Sequence, residues 1–254
     1  DSGVKELIVI AQDITRYGMD WDGKPHLADL LEELCKLDFH WIRLHYLYPE
    51  WIDDRLIDVI AREDKILKYL DIPLQHCNDK ILKKMNRRGD KKYLCALLDK
   101  LRERIPGLVL RTSIIAGLPG EGEEEFDELC DFLREQKLLR AGVFPYSPEE
   151  GTRAAKMERV DSDEAARRAE RIVDIQSEII DAWNDERQGD VMEVLCEGFD
   201  GQSMLFVGRS YAESPDIDGR IYFSAPRDVA AGEFVPVRIT GAMDGELTGE
   251  LAEE

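Results

Sequence analysis

The sequence predicts an α/β layered domain followed by a small all-β barrel. Through about residue 147, short apolar runs alternate with amphipathic helical stretches, the pattern of parallel strands joined by helical crossovers. One long charge-laced helix comes next, and beyond it the runs turn short and alternating, separated by Gly, Asp and Pro. With 254 residues there is enough chain for one large core and a smaller satellite. The division is expected between 1–186 and 187–254.

Five strands are predicted in the first part: Leu7 to Ala11, Phe39 to Tyr46, Leu67 to Ile72, Leu108 to Ala116 and Leu139 to Tyr146. Between the first two, Leu27, Leu30, Leu31, Leu34 and Leu37 repeat at helical spacing, and Pro25 suits the opening turn of their helix. Leu56, Ile57 and Ile60 form a second stripe, Leu94, Leu97, Leu98 and Leu101 a third, and Phe126, Leu129, Cys130 and Leu133 a fourth. The long helix spans Asp161 to about Glu186, with Ile172, Ile175, Ile179, Ile180 and Trp183 on its apolar side. Barrel strands are predicted at Val191 to Cys196, Met204 to Val207, Ile221 to Phe223, Val235 to Ile239 and Leu247 to Leu251.

A formal charge of −20 disfavours non-specific attraction to nucleic acid or anionic membrane and favours a basic partner. The bias is concentrated at the end. From Arg187 onward there are five arginines, no lysine and fourteen acids, a local balance of −9. Small five-stranded barrels that bind single strands track phosphates with basic side chains, so this composition argues for a basic protein. No run of 18 apolar residues occurs, and a cytoplasmic protein without membrane attachment is expected. The five cysteines, Cys35, Cys77, Cys95, Cys130 and Cys196, are widely spaced with no CxxC or CxxxCxxC, so neither a zinc site nor an iron-sulfur site is predicted. Cys35, Cys95 and Cys130 are expected as buried thiols in helices.

In parallel α/β architectures ligands bind where strands end at their carboxyl side. Four such segments carry polar groups. Gln12 and Asp13 follow the first strand, suited either to a polar ligand or to capping a turn. Gln75 and His76 follow Pro73, where a hydrogen-bonded core histidine is the alternative. The run Arg111-Thr112-Ser113-Ile114-Ile115-Ala116-Gly117-Leu118-Pro119-Gly120-Glu121 is a strand entering a Gly-Pro-Gly turn, without the spacing of a Walker loop or a dinucleotide fingerprint. Tyr146-Ser147-Pro148-Glu149-Glu150-Gly151-Thr152 closes the last strand.

In register, Ile10-Ala11-Gln12-Asp13, Asp71-Ile72-Pro73-Leu74-Gln75-His76, Gly117-Leu118-Pro119-Gly120-Glu121 and the Tyr146 to Thr152 segment resemble the signature stretches of the radical S-adenosylmethionine methylthiotransferases. The likeness is greatest to the RimO type, which modifies small-subunit ribosomal protein twelve. The resemblance implies a partial radical-SAM (βα) barrel lacking its first strand, then a TRAM (OB-like) barrel. It implies S-adenosylmethionine as cofactor and four-iron four-sulfur clusters in a longer protein, with the CxxxCxxC ligands lying before Asp1 and none supplied by this chain. The chemistry implied is hydrogen abstraction from an unactivated carbon, ending in methylthiolation of an aspartate β-carbon, and this chain alone is expected to be inactive. Cofactor contacts are carried over to Gln12, Asp13, Gln75, His76, Arg111, Ser113, Gly117 and Tyr146, with no catalytic or metal-ligating residue assigned. Arg111 suits a structural ion pair equally well. A transfer RNA adenosine methylthiotransferase and a non-catalytic docking module for a basic protein are the alternatives.

Overall fold

The computed structural model describes residues 3–252. The chain divides into two compact units, Asp1–Gln176 and Ser177–Glu254, with the boundary inside the long helix. In the first unit the strands are β1 (Glu6–Val9), β2 (Trp41–Leu44), β3 (Ile66–Asp71), β4 (Val109–Ala116) and β5 (Arg140–Pro145). Between and after them run α1 (Met19–Asp22), α2 (Leu27–Cys35), α3 (Asp54–Arg62), α4 (Asp79–Lys84), α5 (Lys91–Arg104), α6 (Glu123–Gln136) and α7 (Ser162–Glu186). All five strands pair in parallel, each with the strand before it, in the order β1-β2-β3-β4-β5. A sheet wound in one direction places all its carboxyl ends in one row.

Side chains that pair in register share a face of the sheet. On one face lie Leu7 and Val9, Ile42 and Leu44, Leu70, then Leu110, Thr112 and Ile114, nearly all deeply buried beyond β1. The other face carries Glu6 and Ile8, Arg43, Tyr69 and Asp71, Arg111 and Ser113, then Gly142. It is therefore polar as well as buried.

The helices start where the sequence supplies caps. Asp53 accepts the Leu56 amide (2.8 Å), Asp90 the Tyr93 amide (2.7 Å), and Asn78 the amides of Lys80 and Ile81. At α6 the Glu125 carboxylate reaches back to the Gly122 amide (3.0 Å). Pro25 does not open α2; His26 is its N-cap, and the helix stops at Cys35, leaving Leu37 exposed. Only Leu27 and Leu31 of that stripe are fully buried. Cys35 and Cys95 are half-buried, and only Cys130 of the three helical thiols is enclosed.

The second unit is a closed barrel, β10-β8-β7-β6-β9, with β6 (Val191–Asp200), β7 (Leu205–Arg209), β8 (Ile221–Ser224), β9 (Phe234–Met243) and β10 (Glu246–Leu251). Alternation along β6 and β9 turns Met192, Val194, Val235, Val237 and Ile239 inward to meet Ile221, Phe223 and Leu247. Trp183 packs against this core.

Candidate active site

At the carboxyl ends of β2 and β3 two bulky residues hold left-handed backbone, Tyr46 (φ +59°) and Gln75 (φ +71°). Each such conformation costs about 1–2 kcal/mol and persists only where the surroundings enforce it. The Tyr46 carbonyl accepts the Ile14 amide (3.1 Å), which ties the loop after β1 to the end of β2. At Gln75 the ladder to β4 is interrupted: Ile72 donates to the Arg111 carbonyl (2.8 Å), but Leu74, next along that edge, donates to the Thr112 hydroxyl (3.1 Å) and not to a carbonyl. Gln75 then rejoins the sheet, donating to the Ser113 carbonyl (2.8 Å) and accepting from the Ile115 amide (2.9 Å).

This rejoining places Gln75 beside Ser113 of β4 in an open cleft of about 520 Å³. The Tyr146 amide donates to the Ala116 carbonyl (2.8 Å), which brings Tyr146 to the same cleft. Ile115, Phe144, Pro145 and Ala154 supply apolar wall, and Ser147, Glu149 and Thr152 supply polar rim. The Tyr146 hydroxyl is buried and has no hydrogen-bond partner among the described residues. Buried hydroxyls are normally satisfied, so this one suits a ligand with a polar group at that point. Apolar walls with a few convergent polar groups fit a flat, heteroatom-bearing ring.

Arg111 lies two residues before Ser113 on the same face and forms an ion pair with Asp71 (3.0 Å). Asp71 also faces His45 Nδ1 (3.3 Å), and Arg43, fully buried, pairs with Glu6 (2.7 Å) and lies over the Tyr69 ring (4.6 Å). Charged groups thus line the buried face leading up to the cleft. Glu6, Arg43, His45 and Asp71 have no place among the sequence-predicted residues. For Arg43 and His45 the signal was present as polar residues alternating with Ile42 and Leu44 in an otherwise apolar strand.

Gln75 and His76 part company. His76 is buried away from the cleft, its Nδ1 accepting the Asn78 amide (3.0 Å) and its Nε2 lying 3.3 Å from Glu121 Oε2. An Nδ1 that accepts carries no proton, so the proton sits on Nε2, facing the carboxylate. Glu121 Oε1 accepts the Gly117 amide (2.9 Å) and Arg168 (2.9 Å). Burial pushes the Glu121 carboxyl up, but the facing His76 imidazole and the hydrogen bonds from Arg168 and Gly117 outweigh it and hold the group below its ordinary value. His76 belongs to this buried lock and does not line the cleft.

Three more of the expected residues lie elsewhere than in the cleft lining. Asp13 caps the short helical turn Ile14–Arg16, accepting the Thr15 amide (3.0 Å) and hydroxyl, while Gln12 is exposed beside it. Neither lines the cleft. Gly117 (φ +79°) admits the chain's own helix, since a Cβ there would lie 2.4 Å from Ala165 Cβ. Gly117→Ala is expected to destabilise the first unit by about 2 kcal/mol or more, through a left-handed alanine and overpacking. A denaturant midpoint equal to wild type would refute this.

The Radical SAM superfamily model matches residues 2–133, just over half of the chain, and the TRAM domain model matches 189–252. The chain is 48% identical over 255 aligned residues to "Ribosomal protein uS12 methylthiotransferase RimO" of Symbiobacterium thermophilum, covering 99% of this chain and 53% of that protein. The protein of the same name from Acetivibrio thermocellus is 44% identical, covering 99% and 56%. The chain thus spans about half the length of the curated relatives it matches. Among solved structures, coproporphyrinogen III oxidase from Escherichia coli, a radical SAM enzyme, superposes with a TM-score of 0.50 at 21% identity over 62% of this chain and 39% of that one. That likeness supports the α/β fold alone. With a singly wound parallel sheet, a cleft at its carboxyl edge and a family match over its first half, the chain belongs to the radical SAM superfamily and carries a TRAM domain.

Proposed function

We propose that this chain is part of an enzyme that methylthiolates the β-carbon of an aspartate in small-subunit ribosomal protein twelve, with S-adenosylmethionine bound in the cleft at the ends of β3, β4 and β5. The observation that carries the cofactor assignment is the buried, unpartnered Tyr146 hydroxyl beside Gln75 and Ser113. Gln75 and Ser113 would orient the cofactor's polar groups, with Tyr146 closing its ring side. When bound next to a reduced iron-sulfur cluster, the cofactor supplies hydrogen abstraction from an unactivated carbon. The apolar wall from Ile115 to Phe144 would exclude water and stray hydrogen donors from that chemistry. Arg111, paired with Asp71 two residues before Ser113, would support that strand and not contact the cofactor. The cluster ligands would come from the longer protein.

The barrel, at −9, would receive the basic ribosomal protein. Such a substrate would place the enzyme in the cytoplasm.

The test uses the full-length, cluster-reconstituted protein. Ribosomal protein twelve is expected to gain a methylthio group by mass spectrometry while transfer RNA does not; modification of transfer RNA instead would overturn the assignment. Cofactor titration by calorimetry is expected to show Tyr146→Phe and Ser113→Ala weakening binding by about 5- to 30-fold, as for one lost hydrogen bond of about 1–2 kcal/mol. Unchanged affinity in both would remove the cofactor from this cleft.

A further inference from the structure

Within this acidic chain, the segment from Asp79 to Lys92 holds seven lysines and arginines against two acids, a local balance of +5. It comprises α4, the loop after it and the start of α5, following the Gln75 strand end. It therefore lies toward the carboxyl row of the sheet, as the cleft does. Two of its cations are neutralised, Lys80 by Glu125 (3.0 Å) and Lys91 by Glu128 (3.2 Å). Lys83, Lys84, Arg87 and Arg88 form no ion pair among the described residues. Arg87 lies over the Tyr48 ring (5.1 Å) and Arg88 over the Trp51 ring (5.8 Å), so aromatic faces from the loop after β2 hold both guanidiniums in place. The Lys84 amine sits over Gly120, at the turn that follows β4.

A protein selected only for solubility at −20 has no need to gather unpaired cations and brace two of them on aromatic rings. A basic ribosomal protein would be repelled by them. An arginine resting on a ring keeps its N–H edges free for phosphate oxygens. The overall negative charge does not prevent this, because at physiological salt the field of a distant charge is screened beyond about 8 Å. Resting on the substrate proposed above, we infer that the Lys83, Lys84, Arg87 and Arg88 surface binds the phosphate backbone of ribosomal RNA. The ribosomal protein is then modified while held on RNA, as part of a particle or its precursor, and not as a free polypeptide.

The test measures binding of this chain to a fluorescein-labelled RNA stem-loop by anisotropy, without cofactor, across a salt series. Because no modification is read, failure here leaves the proposed activity standing, and loss of that activity leaves this result standing. The wild type is expected to bind with a negative log–log salt slope. The variant with Lys83, Lys84, Arg87 and Arg88 all changed to Gln is expected to bind at least tenfold more weakly, with a slope shallower by about 3, at roughly 0.7 to 0.9 per phosphate contact. Lys83→Gln with Lys84→Gln alters two exposed side chains only and guards against a folding defect; about half the slope change is expected. Equal affinity of the four-fold variant and wild type would overturn the inference. So would binding of labelled polyglutamate as tight as that of the RNA, which would make the surface an acidic-peptide site.

Discussion

Glu121→Ala is expected to lower the stability of the first unit by about 3–5 kcal/mol, the range for removing one partner from a buried charge pair. The carboxylate is at once the acceptor for the Gly117 amide, the counter-ion of Arg168 and the group facing His76 Nε2. Arg168 would keep its contacts with Glu164 and Glu123 but lose its one fully buried partner. For a unit of this size each kcal/mol moves Tm by about 2–4 °C, so a drop of about 10 °C is expected by calorimetry. The pH dependence has a definite sign. A carboxyl held below its ordinary value contributes stability that is complete above about pH 4.5, and this is lost as pH falls through the lower folded-state value. The gap between wild type and Glu121→Gln should therefore close below pH 4.5 and stay constant from there to neutrality. A gap that widened on acidification would contradict the lock as described.

Arg43→Ala is the second large effect, again about 3–5 kcal/mol. Arg43 is fully buried, and its loss leaves the Glu6 carboxylate, 5% exposed, without the guanidinium now 2.7 Å away. It also removes the cation over Tyr69. Replacing both charges, Glu6→Leu with Arg43→Met, should recover much of the loss, because an apolar pair needs no desolvation of ions. Urea titration of Arg43→Ala gives the loss, and urea titration of wild type, Glu6→Leu, Arg43→Met and their double variant gives the coupling. A single variant within 1 kcal/mol of wild type, or a double variant worse than Arg43→Ala, would show that the pair is not the source of the stability.

Both effects arise from charge buried on or beside the sheet, and this was the part the sequence concealed. The five parallel strands and five barrel strands were legible because each is a compact apolar run bounded by Gly, Pro or Asp, a signal that needs only near neighbours. Arg43 and Asp71 sit within strands read as covered on both faces, where the eye takes in the apolar majority and passes over the alternate charges. The placement of Gln75 and His76 follows the interrupted ladder at Leu74, which depends on Thr112 and Ser113 some forty residues later. Gly117 was singled out as a place where a ligand could approach closely. What approaches is Ala165, and nothing local names a partner that distant in the chain.

Order of pairing has a consequence for how each unit comes into being. In the parallel sheet every strand docks on the one synthesised just before it, so assembly can proceed step by step behind the ribosome. The barrel admits no such progress: β10 must reach both β8 and β9 before the ring is complete. Until Leu251 has emerged, β8 and β9 each present an unpaired edge. In that interval the newborn protein is most exposed to association with its neighbours.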